Sequence, residues 1–257
     1  MPVAETILVG YFNHETGAMK LEKKVVLIAG GSGALGQTVT PAFVKSGARI
    51  ITADRTPPPE QVAAGNAMQV DVTDEAAVSR LMNNVIRTTG RIDVLVNLVG
   101  GFATGRVVDT DTSLWHRMMT MNVTAAFLLS KTVLTYMTER GSGRILHVAA
   151  WAAVEPFPGA AAYLVAKSSL LALIRVSALE LKGSGVTVNG VLPTTIDTPA
   201  NRASMPQTDP STWAKPESIA ATLLFLASDE AVQISGAAIP VGTGGGATPA
   251  DKPLQGG

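Results

Sequence analysis

Two side chains that could move a proton together lie about one helical turn apart. Tyr163 and Lys167 are four residues apart in a long apolar stretch whose pattern predicts a helix. Residues at that spacing share a helix face, so the phenol and the ammonium group would be neighbours. A cation beside a phenol favours the phenolate and lowers the pKa of the tyrosine. The pair therefore predicts a proton-transfer group, although the same spacing also occurs by chance on amphipathic helices.

A glycine-rich turn far upstream is suited to binding phosphate. An apolar run at residues 25–29 predicts a buried strand, and the turn from Gly30 to Gly36 follows it and opens a helical pattern. Such a turn lets the backbone approach a dinucleotide pyrophosphate at a helix N-terminus. The cofactor-binding residues expected in the turn are Gly30, Ser32, Gly33, Leu35 and Gly36.

The second predicted strand ends in a residue that could distinguish NAD from NADP. Asp54 follows the glycine turn at about the distance usual for a carboxylate that binds the adenosine ribose. A carboxylate there repels a 2′-phosphate, so we expect NAD as the cofactor. NADP remains an alternative because Arg55 could bind that phosphate. A plain strand-end aspartate is the structural alternative for Asp54.

Strands and helices that alternate along the chain must position these groups. Strands are predicted near residues 25–29, 48–53, 67–70, 93–97, 144–150, 186–192 and 237–241, with helical patterns between them. This alternation predicts a single-domain, doubly wound parallel α/β sheet, a Rossmann fold with helices on both faces. The predicted organisation is an N-terminal arm (1–22), a dinucleotide-binding domain (23–246) with a substrate loop (193–215), and a tail (247–257).

Several local predictions follow from residue types. Thr73 resembles a helix N-cap, residues 113–140 read as one long helix, and Pro216 suits a first helical position. The segment 193–215 reads as irregular, and the three prolines at 57–59 predict a surface loop. Two helices are apolar on more than one face, which predicts a homodimer or homotetramer, or else deeply buried helices.

The composition excludes several classes of function. Of 257 residues 46% are hydrophobic and 16% are charged, which indicates a folded core. Lys plus Arg and Asp plus Glu balance at 20 each, so nucleic-acid or acidic-membrane binding has no electrostatic support. The absence of cysteine and of a recognisable leader or membrane span predicts a soluble cytoplasmic protein. The Tyr163–Lys167 pair and the glycine turn together predict a small-molecule substrate. The three histidines are scattered, so no metal site is predicted.

With these motifs in order, the chain resembles the short-chain dehydrogenases/reductases over about residues 24 to 246. The resemblance implies that Tyr163 and Lys167 are catalytic and also contact the cofactor, and that Asn122 holds a proton-relay water. Ala29 stands where the glycine pattern of the family begins with threonine, and Ala34 replaces its middle glycine. The further cofactor contacts implied by the resemblance are Asp71, Val72, Asn97, Val99, Gly100, Pro193, Thr195, Ile196 and Thr198.

One position departs from the family pattern at a point that matters for catalysis. The catalytic serine of the family lies thirteen residues before the tyrosine, and here that residue is Ala150. Loss of one hydroxyl donor typically costs about 3 kcal/mol of transition-state stabilisation. The chain is then a weak or inactive carbonyl reductase, or its substrate needs no such donor, or Thr194 or Thr195 replaces the hydroxyl.

A branch of the family offers one explanation. Quinonoid dihydropteridine reductases have alanine in place of that serine, and several segments here look like theirs, including residues 30–36, 100–105 and 192–213. The resemblance implies hydride transfer to a small carbonyl or conjugated quinonoid substrate, with Ala150, Trp151 and Phe102 at the substrate. An ordinary alcohol or ketone dehydrogenase and a non-catalytic dinucleotide-binding regulator are the alternatives.

Overall fold

The computed structural model describes residues 21–56 and 66–242. Almost all of the predicted N-terminal arm, the predicted proline loop at 57–59 and the predicted tail lie outside these residues. The strands are β1 (Val25–Ala29), β2 (Arg49–Asp54), β3 (Ala67–Gln69), β4 (Val94–Asn97), β5 (Gly143–Val148), β6 (Val186–Pro193) and β7 (Ala238–Val241). The helices are α1 (Gly36–Lys45), α2 (Glu75–Thr89), α3 (Thr112–Met119), α4 (Ala125–Arg140), α5 (Ala161–Glu180), α6 (Pro199–Ser204) and α7 (Pro216–Ala227).

The strands form one parallel sheet in the order β3-β2-β1-β4-β5-β6-β7. Every neighbouring pair is parallel. The chain order reverses between β1 and β4, and ligands of open parallel sheets bind at such a switch, beyond the carboxyl ends of the strands. The predicted doubly wound α/β fold is confirmed.

Helices cover both faces of the sheet. On one face, apolar side chains of α2, α4 and α5, such as Leu81, Leu129 and Ile174, pack against the sheet. On the other face, α1 and α7 supply residues such as Phe43 and Leu223. All five residues of β1 are buried, which explains its unbroken apolar run. This two-sided burial holds the carboxyl ends of β1, β4 and β5 rigidly beside one another.

The helix that carries the Tyr163–Lys167 pair is the most apolar long helix described. By length and composition α5 could cross a membrane, yet half of its apolar window is buried inside the fold. Core helices of soluble proteins have the same properties. Its burial places the lysine at the base of the site and leaves the tyrosine nearer the surface.

Two local predictions are wrong in detail. Thr73 does not cap α2: the carboxylate of Asp74 accepts the Ala77 N–H at 2.9 Å, while Thr73 donates its N–H and hydroxyl to Asp71. Both Thr and Asp are good caps, so the residue types alone could not choose between them. The substrate loop is not wholly irregular, because it contains α6 and a 3₁₀ turn at Pro210–Thr212.

The predicted long helix at 113–140 contains an irregular turn. Thr120–Thr124 forms a π-helical segment between α3 and α4. Such a turn widens the helix by one residue and leaves carbonyl groups without their usual partners. The Asn122 side chain lies in this turn and is fully buried. The predicted Pro216 start of α7 is confirmed.

Candidate active site

Two cavities meet beyond the carboxyl ends of the central strands. The larger, of about 490 Å³, contains Tyr163 and Lys167 in its lining. The smaller, of about 280 Å³, lies over the glycine turn and the end of β2. Gly100 lines both cavities, so a molecule extending from one to the other would pass this residue.

The smaller cavity brings together most of the residues predicted to bind a dinucleotide. Asp54 is buried, and its Oδ1 accepts hydrogen bonds from the Ser32 N–H at 3.0 Å and the Ser32 hydroxyl at 2.6 Å. Its Oδ2 is buried without a partner among the described residues. A buried carboxylate oxygen left unpaired is costly, so it indicates an acceptor kept for a ligand hydroxyl. The predicted cofactor residues in this lining are Gly30, Ser32, Gly33, Asp54, Arg55, Asp71, Val72, Val99 and Gly100.

The glycine turn has the backbone that close approach to phosphate requires. Gly30 has φ +86°, a backbone conformation that residues other than glycine rarely adopt. A Cβ atom at Gly36 would overlap the backbone carbonyl oxygens of Gly30 and Gly31. These glycines keep the turn tight at the N-terminus of α1, as a pyrophosphate cradle requires. The residues present therefore fit a dinucleotide.

Tyr163 and Lys167 lie together, but the predicted effect on the tyrosine is wrong for this structure. Burial raises the pKa of Tyr163 to about 12. Burial also lowers the pKa of Lys167 to about 8, and its ammonium group donates to the Val148 carbonyl at 3.0 Å. Desolvation of the phenolate by burial is the cause of the raised pKa of Tyr163. The phenol is protonated at neutral pH, as a proton donor must be.

Asn122 connects the helical π turn to the loop after β4. Its Nδ2 donates to the carbonyls of Gly101 and Met118, both at 3.0 Å, and its Oδ1 accepts the Gly101 N–H at 3.2 Å. A Cβ atom at Gly100 would lie 2.8 Å from Asn122 Oδ1 and 3.1 Å from Lys167 Nζ. Gly100 is therefore the narrow point at which helix, lysine and loop meet. The proposed water-holding role of Asn122 stays a prediction.

His147 is a buried polar residue of β5 that supports the same loop. Asn97 accepts the Val99 N–H at 3.0 Å through Oδ1, so its Nδ2 faces His147 Nδ1 at 3.3 Å. His147 Nε2 lies 3.0 Å from the Ser130 hydroxyl. This pattern assigns the proton to Nε2. Burial, with a smaller effect from Lys167, lowers the pKa of His147 to about 4, so the ring is neutral.

The larger cavity contains all three predicted substrate residues. Ala150 is buried, and it follows β5 rather than ending it, since the strand stops at Val148. Phe102 is half exposed and packs edge-on against Tyr163. Trp151 opens a 3₁₀ turn at Trp151–Ala153. The predicted cofactor residues that also line this cavity are Gly100, Tyr163, Lys167, Pro193, Thr195 and Ile196.

Some predicted site residues line neither cavity. Thr198 caps α6, accepting the Asn201 N–H at 3.2 Å, and Leu35 packs against the core. The remaining predicted residues outside both linings are Gly36, Asn97 and Asn122. Gly36 keeps the glycine turn tight, while Asn97 and Asn122 accept backbone N–H groups of the loop after β4. Within residues 21–56 and 66–242, no group of three or more metal-binding side chains lies together.

Sequence reasoning missed several lining residues. Met121 lines the smaller cavity, while Glu155 and Phe157 line the larger one. Glu155 and Phe157 follow Ala150 closely in sequence, but no periodic pattern marks them. Their position depends on the 3₁₀ turn after β5, which sends the chain back over the cavity.

Comparison with known proteins agrees with this geometry. Residues 30–245 match the family model described as enoyl-(acyl carrier protein) reductase. The chain is 35% identical to meso-2,3-butanediol dehydrogenase of Serratia marcescens, over 91% of this chain and 98% of that protein. It is 30% identical to a 3-oxoacyl-(acyl-carrier-protein) reductase of Thermotoga maritima, over 88% of this chain and 99% of the relative.

Solved structures show the same likeness. A Burkholderia xenovorans protein described as a short-chain dehydrogenase/reductase superposes with a TM-score of 0.82 at 31% identity, covering 88% of this chain and 97% of that one. The chain belongs to the short-chain dehydrogenase/reductase family. It is an NAD(P)-dependent oxidoreductase.

Proposed function

We propose that the protein transfers hydride from NADH to a small conjugated acceptor of the quinonoid dihydropterin type. The buried Ala150 methyl group in the wall of the larger cavity carries this proposal. It offers no hydrogen bond to a developing alkoxide, the charge that reduction of an isolated ketone must stabilise. A conjugated acceptor spreads the incoming electron pair over its ring system and needs that donor less.

The aromatic lining of the larger cavity supports a planar substrate. Phe102, Trp151, Phe157 and Tyr163 all contribute to its wall. Aromatic rings bind flat conjugated molecules through stacked and edge-on contacts. The resemblance to dihydropteridine reductases in residues 100–105 and 192–213 points to the same substrate class.

The proposed roles follow from position. The cofactor supplies the hydride, and the protein supplies binding, orientation and the proton. Tyr163 gives its hydroxyl proton to the reduced substrate, since burial keeps the phenol protonated at neutral pH. Lys167 holds the nicotinamide ribose, and Asn122 orders the loop at Gly101 and holds the relay water. Asp54 binds the adenosine ribose and favours NADH over NADPH.

An assay of NADH oxidation with a panel of acceptors tests the proposal. We expect kcat/KM for a quinonoid dihydropterin to exceed that for a simple ketone by about 100-fold, equivalent to about 3 kcal/mol. Equal activity with both acceptors, or activity with the ketone alone, contradicts it. NADPH in parallel reactions tests the cofactor preference.

An alcohol or ketone dehydrogenase is the second candidate. The 35% identity to an enzyme named meso-2,3-butanediol dehydrogenase favours it. Thr194 and Thr195 both line the larger cavity, but the Thr194 hydroxyl donates to the Thr212 carbonyl at 3.4 Å, so Thr195 would supply the missing hydroxyl. The substitution Ala150→Ser should raise ketone activity under this candidate only. Under the first candidate it should leave dihydropterin reduction unchanged.

A protein that binds NADH and reduces no acceptor in the panel would instead be a dinucleotide-binding regulator.

The assembly and location of the protein remain part of the proposal. We propose that the protein is cytoplasmic. We also propose that it is a homodimer or homotetramer, because α3, α4 and α5 leave large apolar side chains exposed, among them Trp115, Phe127, Val165 and Leu179. Isolated exposed apolar residues are common, but several on adjoining helices favour a subunit contact. Sedimentation analysis of the purified protein would distinguish a monomer from either oligomer.

A further inference from the structure

We propose that Glu155, held by Trp151, selects the substrate of this enzyme by accepting hydrogen bonds from an edge that carries N–H groups. The larger cavity would thus take a neutral or cationic planar molecule with an amidine-like edge, such as a 2-aminopyrimidinone, and would disfavour anions. This inference rests on the proposed function, because it concerns the acceptor that occupies the same cavity.

The Glu155 side chain is oriented by its neighbour along the chain. The Trp151 indole N–H donates to Glu155 Oε2 at 3.0 Å, and the Glu155 backbone N–H donates to the Trp151 carbonyl at 3.1 Å. An indole is a donor only, so this contact occupies one lone pair of one oxygen. The other oxygen, Oε1, makes no hydrogen bond within the described part of the chain. The carboxylate is therefore anchored through one oxygen and able to accept through the other.

The charges around the larger cavity favour donors over anions. Among its described lining residues, Glu155 is the single carboxylate and Lys167 the single cation. The Lys167 ammonium group is buried and donates to the Val148 carbonyl. Arg202 lies on α6, but its guanidinium group is engaged by both oxygens of Asp197, at 2.6 and 2.8 Å. A substrate anion away from the lysine would therefore meet a carboxylate and no free cation.

The neighbouring wall supplies no competing donor. Ala150 precedes the 3₁₀ turn that carries Trp151, and its side chain is a methyl group. The position after β5 that could have oriented a substrate through a hydroxyl donor is thus apolar. The chain after it presents the aromatic ring of Trp151 and the carboxylate acceptor of Glu155 instead. Hydrogen-bond polarity at this wall favours a substrate that donates.

The size of the effect should be moderate, because Glu155 is exposed at the cavity rim. Hydrogen bonds with an ionised partner are about twice as strong as neutral ones, but solvent and salt weaken them at the surface. We expect about a 10-fold change in affinity, equivalent to about 1.4 kcal/mol.

Binding of two small probes to the NADH complex tests the inference without turnover. The probes are 2,4-diaminopyrimidine, which presents an amidine-like edge, and benzoate, a planar anion. We expect Glu155→Gln to weaken diaminopyrimidine binding by about 10-fold and to leave benzoate binding equal or tighter. Trp151→Phe keeps an aromatic ring and removes the indole donor, so it should give an intermediate loss. Glu139→Gln, at an exposed carboxylate on α4, is the matched control and should change neither affinity.

Steady-state kinetics separates this inference from the proposed function. With a quinonoid dihydropterin, Glu155→Gln should raise KM and leave kcat unchanged; with butane-2,3-dione it should change neither. Reduction of the dihydropterin with equal KM in wild type and Glu155→Gln overturns the role of Glu155 and leaves the proposed function intact. Glutamate-dependent binding of diaminopyrimidine without dihydropterin reduction overturns the proposed substrate and leaves the Glu155 selectivity. Wild-type protein that does not bind diaminopyrimidine, or binds benzoate more tightly, overturns the inference.

Discussion

The ring of Phe102 meets the ring of Tyr163 edge to face, with centroids 4.9 Å apart and planes at 78°. Edge-on contacts of this kind contribute about 0.5–1.5 kcal/mol beyond burial of the rings. The contact fixes the tilt of the phenol at the mouth of the larger cavity. Burial of the phenol raises the pKa of Tyr163 to about 12, so its hydroxyl keeps its proton at neutral pH.

The substitution Tyr163→Phe should keep this ring contact and remove the proton. We expect kcat to fall by about 10²–10⁴-fold, the range that general acid catalysis contributes. NADH affinity and the urea midpoint should change little, because the ring still packs on Phe102. Stopped-flow reduction and NADH fluorescence titration give the two measurements. A variant within a few-fold of wild-type activity would remove Tyr163 from the proposed mechanism.

The substitution Asp54→Ser should change the choice of cofactor. It removes the unpaired Oδ2 that would accept from the ribose and the charge that repels a 2′-phosphate. We expect KM for NADH to rise about 10-fold or more, from loss of a charged hydrogen bond. KM for NADPH should fall. Asp71→Asn is the control, since Asp71 is expected at the adenine and should affect both cofactors equally. Parallel changes in both KM values with Asp54→Ser would contradict the assignment.

The buried neutral His147 should make the fold sensitive to acid. The pKa of His147 is lowered from 6.5 to about 4, so between pH 4 and pH 6.5 the ring is protonated in the unfolded chain and neutral in the folded chain. Stability from this site is complete above pH 6.5 and is lost as pH falls toward 4. At pH 5 the loss relative to pH 7 should reach about 2 kcal/mol.

Urea unfolding of wild type and His147→Asn at pH 7 and pH 5 measures this effect. The asparagine variant lacks the titrating ring. Between pH 7 and pH 5 its free energy of unfolding should therefore fall by less than that of the wild type. Asn97, Ser130 and Lys167 face the ring, and all three are unchanged in the comparison. An equal loss of stability in both proteins would show that His147 does not titrate in this window.

The substitution Gly100→Ala should disturb the cofactor site more than the fold. The added methyl group would contact Asn122 Oδ1 at 2.8 Å and Lys167 Nζ at 3.1 Å, so one of them must move. Overpacking of this kind costs about 1–3 kcal/mol. We expect a higher KM for NADH and a lower kcat, together with a small drop in melting temperature. Unchanged kinetics would mean that Lys167 and Asn122 have room to move without consequence.

The sequence predicts the fold, and the proximity of the residues expected around the cofactor, for local reasons. A buried strand, a glycine turn and an aspartate at the next strand end are adjacent features, and parallel pairing brings Ala29 and Ala53 side by side. The position of Asp54 beside Ser32 then follows from topology. Tyr163 and Lys167 share one helix, so their proximity also follows from spacing.

The substrate side depends on tertiary structure that local patterns do not encode. The pKa of Tyr163 changes in the opposite sense to the prediction because the phenol is buried, and burial depends on the whole fold. Glu155 lines the larger cavity because a 3₁₀ turn at Trp151–Ala153 redirects the chain. The residue types around that turn do not predict it. The π-helical segment likewise has ordinary helix-forming residues around it.

That segment has a consequence for how the chain tolerates change in length. A π turn is equivalent to one residue inserted into an α-helix, and here it aims the Asn122 amide at the loop after β4. Deleting a single residue from Thr120–Thr124 would restore an unbroken α-helix with the flanking turns nearly in register, because a π turn absorbs its extra residue locally, but it would remove the turn that presents the Asn122 amide to the loop. A more regular helix would thus release the loop that separates the two cavities, so local irregularity here maintains order elsewhere.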